Sequence, residues 1–429
     1  MKNRTNHNPA AAGGTSRRTE LALGILEQVC SEVARNNPAD ASLQAVFRKH
    51  REYGSRDRRF YSRVVFSYFR WRGWLEGAAP VKACAVALLL DAENVNDDLR
   101  AVCTDAGFSE GKMKPMAAMT LPEKAAMAGS LLGRSVAVEN IIPKNVLDRI
   151  AFPRHLNPWE ARSQFLESMQ IRPPAWLRFA TAADAMAIEA PGAQAHPRIP
   201  TALALPENFN RGLLNTPEGR KADVQDLSSQ CAGLIAAPQA GESWWDVCSG
   251  AGGKALHLAA LSGCRAEILA TDLRPSSLGQ IRERAERTGM RGIRTAVLDG
   301  SKDSPGCGDF DGIIVDAPCS GIGTWPRNPD ARWRFDPSNI NRSAAVQKRI
   351  VMHVSQFLRP GGRLIYAVCT CTADETDAVA AAFLNEKRNF EPLDFTHPLT
   401  GAACPGQCMI WPADGPCNGM FIAGFRKAE

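Results

Sequence analysis

The chain has 429 residues, of which 45% are hydrophobic and 22% charged, and its formal net charge is +6. This length and apolar content suffice for more than one buried core, so two or three globular domains are expected. No apolar run is long enough for a membrane span, and residues 1–18 lack the apolar core of a signal peptide. The membrane and secretory classes are therefore excluded, and a cytoplasmic protein with reduced thiols is expected.

The positive charge is concentrated at the amino-terminal end. Residues 1–72 contain 14 Lys and Arg against 6 Asp and Glu, which leaves 37 against 39 in the rest of the chain. This asymmetry favours a first domain that meets a polyanion, and a solvated basic surface is the alternative explanation.

The first part of the chain is predicted to be a tail followed by a helical domain. Residues 1–16 are rich in Asn, Ala, Gly and Thr without periodicity, which predicts disorder. Apolar residues then recur at helical spacing through residues 17–150. The helix expected at Arg58–Trp74 has an apolar side and, about 120° away from it, a basic side that we expect to face outward. Its arginines are Arg59, Arg63 and Arg70.

Residues 151–240 are predicted to form a small α+β module. The composition shifts there toward Pro and Ala, with short β-like pieces such as Ala175–Phe179. The pattern indicates no function for this module, except that Gln225–Gln230 leads into a helix and then into the first strong strand.

Strands and helices alternate regularly through residues 241–429, which predicts a doubly wound α/β sheet. Strands are expected at Trp244–Val247, Ile268–Thr271, Thr295–Leu298, Ile313–Val315, Leu364–Val368 and Phe421–Phe425. Helices are expected at Lys254–Leu261, Pro275–Arg287, Gln347–Leu358 and Glu375–Asn385. Ligands of such sheets bind at the carboxyl ends of the strands, so the residues that follow the strands are candidates for a functional site.

A glycine-rich loop joins the first of these strands to its helix, where backbone N–H groups can approach a ligand. Acids follow the second and third strands, at Asp272 and Asp299, where a carboxylate accepts hydrogen bonds from ribose hydroxyls. A turn or helix-capping role is the alternative for either acid alone, and for Asp299 the two are equally favoured. The loop residues assigned to cofactor binding are Cys248, Ser249, Gly250, Ala251, Gly252, Gly253 and Lys254.

The spacing of this loop narrows the choice of ligand. The loop lacks the G-x-G-x-x-G pattern of dinucleotide oxidoreductases, and it also lacks the P-loop pattern. The arrangement that remains is the Rossmann-like class I methyltransferase fold, in which S-adenosylmethionine lies at this edge of the sheet.

Two cysteines that follow later strands are candidates for covalent chemistry. The stretch Asp316–Gly321 follows the fourth strand and carries Cys319, and Cys369 follows the fifth. A thiolate is well suited to attack an electron-poor ring carbon, and Asp316 is placed to contact substrate and cofactor. Lys254 is a candidate for stabilising a thiolate, with a surface lysine as the alternative. A buried structural cysteine is the alternative for each thiol alone, and the spacing does not decide which thiol attacks.

Taken in order, these motifs resemble those of the Sun-family RNA cytosine-5 methyltransferases. The resemblance is dense over about the last 200 residues, and about the first 150 resemble the NusB-like helical domain of the RsmB-type members. The sequence departs from the family at Ser249–Ala251, where Ala-Ala-Pro is usual, and at Val368, where Thr is usual. The segments that carry the resemblance are Gln225–Gln230, Asp246–Lys254, Asp316–Gly321, Arg327–Trp333, Pro360–Thr370 and Asn418–Phe421.

The resemblance implies an S-adenosylmethionine-dependent RNA cytosine-5 methyltransferase that forms a covalent cysteine adduct at carbon 6. It implies that Cys369 is the nucleophile and that Cys319 serves product release, whereas analogy with DNA enzymes would give the attack to Cys319. Cys371 is an outside candidate. Ribosomal RNA is the expected substrate and transfer RNA the close alternative. The alternative from another class is a non-catalytic RNA-binding ribosome-assembly factor.

The remaining cysteines do not predict a metal site. Cys404, Cys408 and Cys417 have no cysteine or histidine pair nearby at a zinc-ligand spacing, so we interpret them as ordinary thiols. A monomer that binds RNA and neither metal nor membrane is expected.

Overall fold

The structure, a computed structural model, describes residues 15–153, 157–206, 209–306 and 308–429. The chain forms two compact units: a helical unit of the described residues up to Lys144 with Asn328–Arg334, and a larger unit of the remainder. The tail predicted at residues 1–16 lies outside the described residues except at its end. There Ser16 is bound to the first part of the fold, because its N–H and its hydroxyl donate to the Asp105 carboxylate.

The helical unit combines amphipathic helices with one apolar helix, whose residues Ala83 to Leu90 are all buried. The helix Leu121–Leu132 begins with a capping box, in which the Glu123 carboxylate accepts from the Thr120 N–H. It ends at Gly133, whose φ of 73° lies in the left-handed region that glycine favours. The helices are α1 (Arg17–Ala34), α2 (Ala39–Lys49), α3 (Ser55–Leu75), α4 (Pro80–Asp91), α5 (Asp97–Asp105) and α6 (Leu121–Leu132).

The prediction that the arginines of α3 all face outward is wrong for one of them. Arg59 and Arg63 are exposed, but Arg70 is only 4% exposed, and its Nε lies 3.3 Å from Asp91 Oδ2 at the end of α4. Asp91 also accepts from the Ser67 hydroxyl and the Trp71 indole N–H, so one carboxylate gathers a face of α3 against α4. The periodicity identified a basic side, but it did not reveal this acid on the next helix.

The predicted α+β module begins the larger unit. Strand pairing gives the order β2-β3-β1-β4, and its pairs are antiparallel. Its elements are α7 (Pro158–Ser168), β1 (Ala175–Arg178), α8 (Ala182–Met186), β2 (Gln194–Ala195), β3 (Ala202–Leu205), α9 (Pro217–Arg220) and β4 (Asp223–Val224).

The rest of the larger unit is the alternating α/β part. Its first half contains α10 (Leu227–Ala236), β5 (Ser243–Asp246), α11 (Gly253–Leu261), β6 (Glu267–Asp272), α12 (Pro275–Thr288), β7 (Ile293–Val297) and β8 (Phe310–Asp316). The short helix α13 (Ala331–Arg334) comes next in the sequence but belongs to the helical unit. The second half of the α/β part contains α14 (Ser338–Val354), β9 (Leu358–Val368), α15 (Asp377–Glu386), β10 (Phe390–Pro392), β11 (Phe395–Thr396), β12 (Ala403–Cys404), β13 (Gln407–Ile410) and β14 (Met420–Lys427). Short 3-10 helices lie at Glu110–Lys112, Val138–Ile141, Leu147–Arg149, Arg211–Asn215, Ile322–Thr324 and Ser355–Phe357.

The main sheet has the order β10-β14-β9-β8-β5-β6-β7, and β13 pairs with β14. The strands from β9 to β7 are parallel, and β14 joins β9 antiparallel. The carboxyl ends of β5, β6, β7, β8 and β9 therefore open on one edge, as the predicted doubly wound sheet requires.

Both faces of this sheet are covered, because successive side chains of a strand point to opposite sides. Trp244 packs into one apolar layer with Leu258 and Ile281 of the helices on that side. Trp245 packs into the other layer with Ile350 and Phe383. A sheet that is buried on both faces leaves the strand ends as its accessible polar edge.

Two expectations for this part differ from the structure. The helix expected at Gln347–Leu358 is α14, which starts earlier and ends at Val354, because Leu358 is buried at the start of β9 and pairs with Phe310. The segment Asn328–Arg334, far along the sequence, belongs to the helical unit.

No single helix in the described ranges is both long and apolar enough to cross a membrane. Helices α3 and α4 meet such a test of length and composition only as a pair, and that pair is bent by 107°.

Candidate active site

The two predicted thiols lie side by side after neighbouring parallel strands. Strand β8 ends at Asp316, opposite Ala367 of β9, so the loops that carry Cys319 and Cys369 leave the sheet together. Their sulfur atoms are 3.2 Å apart. The Gly323 N–H donates to the Cys369 carbonyl at 3.0 Å, which fastens one loop directly to the other.

Glycine is required at this contact between the loops. A Cβ on Gly323 would lie 2.1 Å from the carbonyl oxygen of Gly419 and 2.9 Å from that of Cys369. Gly419 lies in the Asn418–Phe421 segment of the sequence resemblance, so this segment packs against the thiol loops. Only a residue without a side chain at position 323 lets the three backbone segments approach so closely.

The surroundings of Cys319 disfavour its thiolate. The hydrogen bond with Cys369 raises the pKa of Cys319 well above its usual value, and burial and the nearby charges of Glu375 and Asp316 raise it further. Cys319 therefore holds its proton at neutral pH and can donate it toward the sulfur of Cys369. The assignment of the attack to Cys369 and of product release to Cys319 stays a prediction.

Cys371 does not share this environment. Strand β9 ends at Val368, so the strand alternation that would turn Cys371 toward Cys369 does not extend to it. Cys371 is 1% exposed, and its carbonyl accepts from the Ala151 N–H at 2.8 Å. Burial, followed by the charge of Glu375, raises the pKa of its thiol, which disfavours a reactive thiolate.

Lys254 binds an acid of the site. Its Nζ lies 2.6 Å from Asp316 Oδ2 and 3.1 Å from the Ser229 hydroxyl, and the lysine is 4% exposed. The buried ammonium thus neutralises Asp316 and fixes one of its oxygens. In the part of the chain that the structure describes, Asp316 Oδ1 accepts no hydrogen bond, so it is available to a ligand.

The glycine-rich loop has the shape expected of a ligand loop. Gly250 and Gly252 have left-handed φ angles of 53° and 84°, and Gly253 starts α11. The Ser249 N–H and hydroxyl donate to the Thr271 carbonyl, and Ala251 accepts from Arg284. Cys248 is half-buried against the apolar layer that contains Trp245, and burial raises the pKa of its thiol, so we assign it no chemical role.

Asp272 accepts a hydrogen bond from this loop, and both of its carboxylate oxygens already have partners. Its Oδ2 accepts from the Gly250 N–H at 2.9 Å, and both of its oxygens accept from the guanidinium of Arg274. Burial alone would raise the pKa of Asp272, but the hydrogen bonds from Arg274 and Gly250 outweigh it and lower the pKa. Because the Arg274 side chain is 69% exposed, it can move aside for a ligand at little cost.

Asp299 is engaged in a turn. Its Oδ1 accepts from the N–H and the hydroxyl of Ser301, and these hydrogen bonds lower the pKa of the carboxyl. Lys302 lies 3.7 Å from the other oxygen. The turn role, which the sequence favoured equally, is visible here, and contact with a ligand through Oδ2 stays a prediction.

Asp246 begins the motif segment Asp246–Lys254, but the sequence predicted no role for it. It is the most unusual acid of this edge. It is 0% exposed, and neither of its carboxylate oxygens has a hydrogen-bond partner among the described residues. Burial raises its pKa to about 7, although Lys254 and the N–H of Ala255, which lies short of hydrogen-bond geometry, pull the pKa down. A carboxylate directly after two buried tryptophans was the signal in the sequence.

The motif segment Arg327–Trp333 is divided between the two units. In the larger unit Arg327 donates to Asp226 Oδ2 at 3.2 Å, and Asp226 also accepts from the Asn418 N–H. Arg332 is buried in the helical unit, where burial, followed by the charge of Arg70, lowers its pKa to about 9. Trp333 donates to the carbonyl of Phe69 in that unit.

The described residues contain no group of His, Cys, Asp and Glu that could hold a metal ion. Cys404 and Cys417 are buried, and Cys408 is half-buried.

Comparison with known proteins gives consistent matches. Residues 233–426 match the family model for 16S rRNA methyltransferase RsmB/F. A probable ribosomal RNA small subunit methyltransferase B of Synechocystis is 33% identical over 213 residues, which are 48% of this chain and 47% of that protein. The ribosomal RNA small subunit methyltransferase B of Sodalis glossinidius is 32% identical over 295 residues, 64% of this chain and 66% of that protein. The chain thus matches about half the length of the Synechocystis relative.

Solved structures share the fold. The protein PH0851 superposes with a TM-score of 0.72 at 20% identity, covering 95% of this chain and 99% of that one. NSun6 from Pyrococcus horikoshii, solved with SFG, gives 0.56 at 16% identity, covering 67% and 98%. These matches confirm the predicted Rossmann-like α/β fold with a helical amino-terminal part.

Proposed function

We propose that this chain, whose residues 233–426 match the RsmB/F methyltransferase family model, methylates carbon 5 of cytosine in ribosomal RNA with S-adenosylmethionine. The observation that carries the proposal is the pair of thiols 3.2 Å apart at the strand ends, beside Asp316. Cytosine carbon 5 is a poor nucleophile until a thiolate has added to carbon 6, so two sulfur groups at one site fit this reaction.

The residues of the sheet edge fit the cofactor. Asp246 offers two buried oxygens that have no hydrogen-bond partner in the described part of the chain, and such oxygens suit a ligand that brings cationic or N–H donors. Asp272 lies where ribose hydroxyls can replace the guanidinium of Arg274, and the loop around Gly250 and Gly252 leaves room for a close approach. S-adenosylmethionine, when bound, supplies an electrophilic methyl group. NSun6, the structural neighbour named above, was solved with SFG, which is consistent with a ligand at such an edge.

The residues of the chain divide the reaction between them. Cys369 attacks carbon 6 of the base as a thiolate, which forms the C–S bond and makes carbon 5 nucleophilic. Asp316 Oδ1 accepts from the base and orients it, while Lys254 holds Oδ2. Once carbon 5 carries the methyl group, its proton leaves to water, the electron pair of that C–H bond restores the ring double bond, and the bond to Cys369 breaks. The Cys369 sulfur departs as a thiolate, and Cys319 serves this release because its thiol proton can be donated to the departing sulfur.

Ribosomal RNA is proposed as the substrate because the relatives from Synechocystis and Sodalis glossinidius are named ribosomal RNA small subunit methyltransferases. The helical unit, with exposed Arg59 and Arg63 on α3, offers a basic surface for RNA.

The test is methyl transfer to RNA lacking the modification. Total RNA from a strain without the gene is incubated with the protein and methyl-labelled S-adenosylmethionine, and bisulfite sequencing locates the product. We expect one 5-methylcytosine in small-subunit ribosomal RNA, and Cys369→Ala should lower the rate by at least about a thousandfold because the nucleophile is removed. Label in transfer RNA alone would give the transfer RNA alternative. Absence of label from every RNA would favour the non-catalytic assembly factor.

A further inference from the structure

A buried glutamate beyond the predicted site connects the two thiol loops. Glu375 lies just before α15, is 0% exposed and contacts neither thiol by a hydrogen bond. Its carboxylate accepts from both segments that carry the thiols. The donors are the N–H of Ser320 at 2.8 Å, the hydroxyl of Ser320, the hydroxyls of Thr370 at 3.3 Å and Thr372 at 2.8 Å, and Gln347 Nε2 at 3.1 Å.

These contacts hold the Cys319 loop on both sides of the cysteine. The Ser320 N–H, directly after Cys319, donates to Glu375 Oε1. The Pro318 carbonyl, directly before it, accepts from Gln347 Nε2 at 2.9 Å, and the same amide group reaches Glu375. Because Gln347 belongs to α14 and is 0% exposed, this loop is tied to a rigid helix.

The Cys369 loop enters the same network through its next residue. The Thr370 hydroxyl donates to Glu375 Oε2 and lies 2.8 Å from the Ser320 hydroxyl. The residues that follow the two cysteines therefore meet at one carboxylate. Tyr366 of β9 holds the backbone of Glu375, since its hydroxyl donates to the Glu375 carbonyl at 2.6 Å, and the hydroxyl oxygen also lies 3.0 Å from Gln347 Oε1.

Burying Glu375 costs folding free energy, because a buried carboxylate loses its hydration and the donors named above are all neutral. Such a residue is expected to have a role that offsets this cost. Five hydrogen bonds that converge on one side chain also restrain both loops at the same point. The charge of Glu375 further contributes to the raised pKa of Cys319, after the hydrogen bond with Cys369 and burial.

We propose that Glu375 is a positioning residue that sets the separation of Cys319 and Cys369 by holding the residues next to each thiol in one hydrogen-bond network. The inference rests on the proposed function, in which both thiols take part in each turnover. Glu375 itself touches neither the base nor the cofactor site, so it acts on the rate through the thiols.

The first measurement needs neither RNA nor cofactor. The free protein is treated with diamide, which takes two hydrogen atoms from a pair of close thiols and leaves a disulfide, and tandem mass spectrometry follows the peptide that joins Cys319 to Cys369. Glu375→Ala should form this peptide at least about tenfold more slowly than the parent, because the loops lose their common anchor. Glu375→Gln keeps an oxygen for the Ser320 N–H and should stay within about twofold of the parent.

Asp374→Ala is the matched control. Asp374 is the adjacent acid, but it pairs with Arg149 at 2.9 Å and lies outside the network. This variant should oxidise at the parental rate. An unchanged rate in Glu375→Ala would overturn the proposal, and so would a Glu375→Gln variant as slow as Glu375→Ala, since hydrogen bonding to Ser320 would then not be what holds the loops. If Glu375→Ala fails to fold, Thr370→Val removes one anchor and should slow the pairing severalfold, and no slowing would count against the proposal.

The second measurement is the kinetics of methyl transfer. Glu375→Ala should lower kcat at least about tenfold and leave KM for RNA and for S-adenosylmethionine within about twofold, because Glu375 contacts neither ligand. Glu375→Gln should restore most of kcat. A rise in KM with unchanged kcat would overturn the proposal. If the parent protein methylates no RNA, the proposed function fails, while the diamide measurement still decides whether Glu375 holds the thiols together.

Discussion

The two halves of the strand-end edge differ in how fully their polar groups are hydrogen-bonded within the protein. The thiol edge, formed by the loops after β8 and β9, has its polar groups joined to one another through Glu375, Gln347 and the backbone of Gly323. The cofactor edge, our name for the loops after β5, β6 and β7 where we propose that the cofactor binds, contains the buried acid Asp246, whose oxygens have no hydrogen-bond partner among the described residues. Its second acid, Asp272, is held by an exposed arginine.

The difference indicates that the protein fixes the geometry of the thiol edge by itself, whereas the cofactor edge depends on a ligand to satisfy its polar groups. Groups that must attack in a fixed order need a fixed geometry before the substrate arrives, and the thiol edge supplies it from buried side chains. The cofactor edge leaves polar groups in an unfavourable state that a ligand can relieve, so binding energy is available there. We therefore expect substitutions at the thiol edge to change rates and substitutions at the cofactor edge to change affinity and stability.

Apart from the loss of the nucleophile in Cys369→Ala, the largest effect is expected from Cys319→Ala. Addition by Cys369 and methyl transfer need only one sulfur, but release would lose the thiol that donates to the departing sulfur, so the variant should trap RNA as a covalent complex. Turnover should fall at least about a hundredfold. Denaturing gel electrophoresis measures the complex.

The double variant Cys319→Ala, Cys369→Ala is the control for this trap, and it should form no complex. If Cys369→Ala alone traps RNA while Cys319→Ala does not, the two thiols have the opposite roles and the DNA enzymes are the better analogy.

The second largest effect is expected from Asp246→Asn, and it concerns stability. The pKa of Asp246 rises from its usual 3.8 to about 7, so the folded state binds the proton more tightly than the unfolded state. This contribution to stability is present in full below about pH 4 and is lost as the pH rises to 7. Once the group is ionised in both states, the loss amounts to about 4 kcal/mol. Asp246→Asn should therefore stabilise the free protein at pH 8 and have little effect at pH 4.

Tryptophan fluorescence during urea unfolding measures this, because Trp244 and Trp245 adjoin Asp246. Asp394→Asn, at an exposed position, is the matched control. An equal effect of Asp246→Asn at pH 4 and pH 8 would mean that the carboxylate is not destabilised by its burial.

A smaller effect is expected from Asp272→Ala, on the binding of S-adenosylmethionine. Losing charged hydrogen bonds to ribose should cost about 1.5–3 kcal/mol, or roughly ten- to a hundredfold in affinity by calorimetry. Arg274→Ala is the informative partner, because removing the competing guanidinium should leave the affinity equal or severalfold tighter. If both variants weaken binding alike, Arg274 contacts the ligand and Asp272 serves to place it.

Much of the fold was readable from the sequence, because parallel strands buried on both faces give apolar runs and their ends carry distinctive acids and thiols. The succession of β5 to β9 along the chain and the position of Cys319 and Cys369 after strand ends follow from that pattern. The ends of α14 and the small strands β10 and β13 did not follow, since short segments are decided by their neighbours in space.

The supporting residues of the site were harder to predict than the reactive ones. Glu375 lies in a stretch that the sequence assigned to a helix, and nothing local shows that five donors converge on it. Gln347 similarly looked like an ordinary helix residue. The assignment of Arg70 to an outward face was wrong because helical periodicity places a residue on a side, while the buried partner Asp91 comes from another helix.

The smallest effect is expected from the helical unit, where Arg59 and Arg63 are exposed and Arg70 is not. If the two exposed arginines contact RNA phosphates, replacing both with Gln should weaken binding and lower the slope of log affinity against log salt by about 1.4, at 0.7 for each single-strand phosphate. Filter binding between about 50 and 200 mM salt measures the slope. Arg70→Gln, by contrast, should lower the melting temperature of the helical unit, because it leaves Asp91 without its ion pair. An unchanged slope in the double variant would assign the surface to solvent or to a protein partner, and RNA recognition would then rest on the methyltransferase unit.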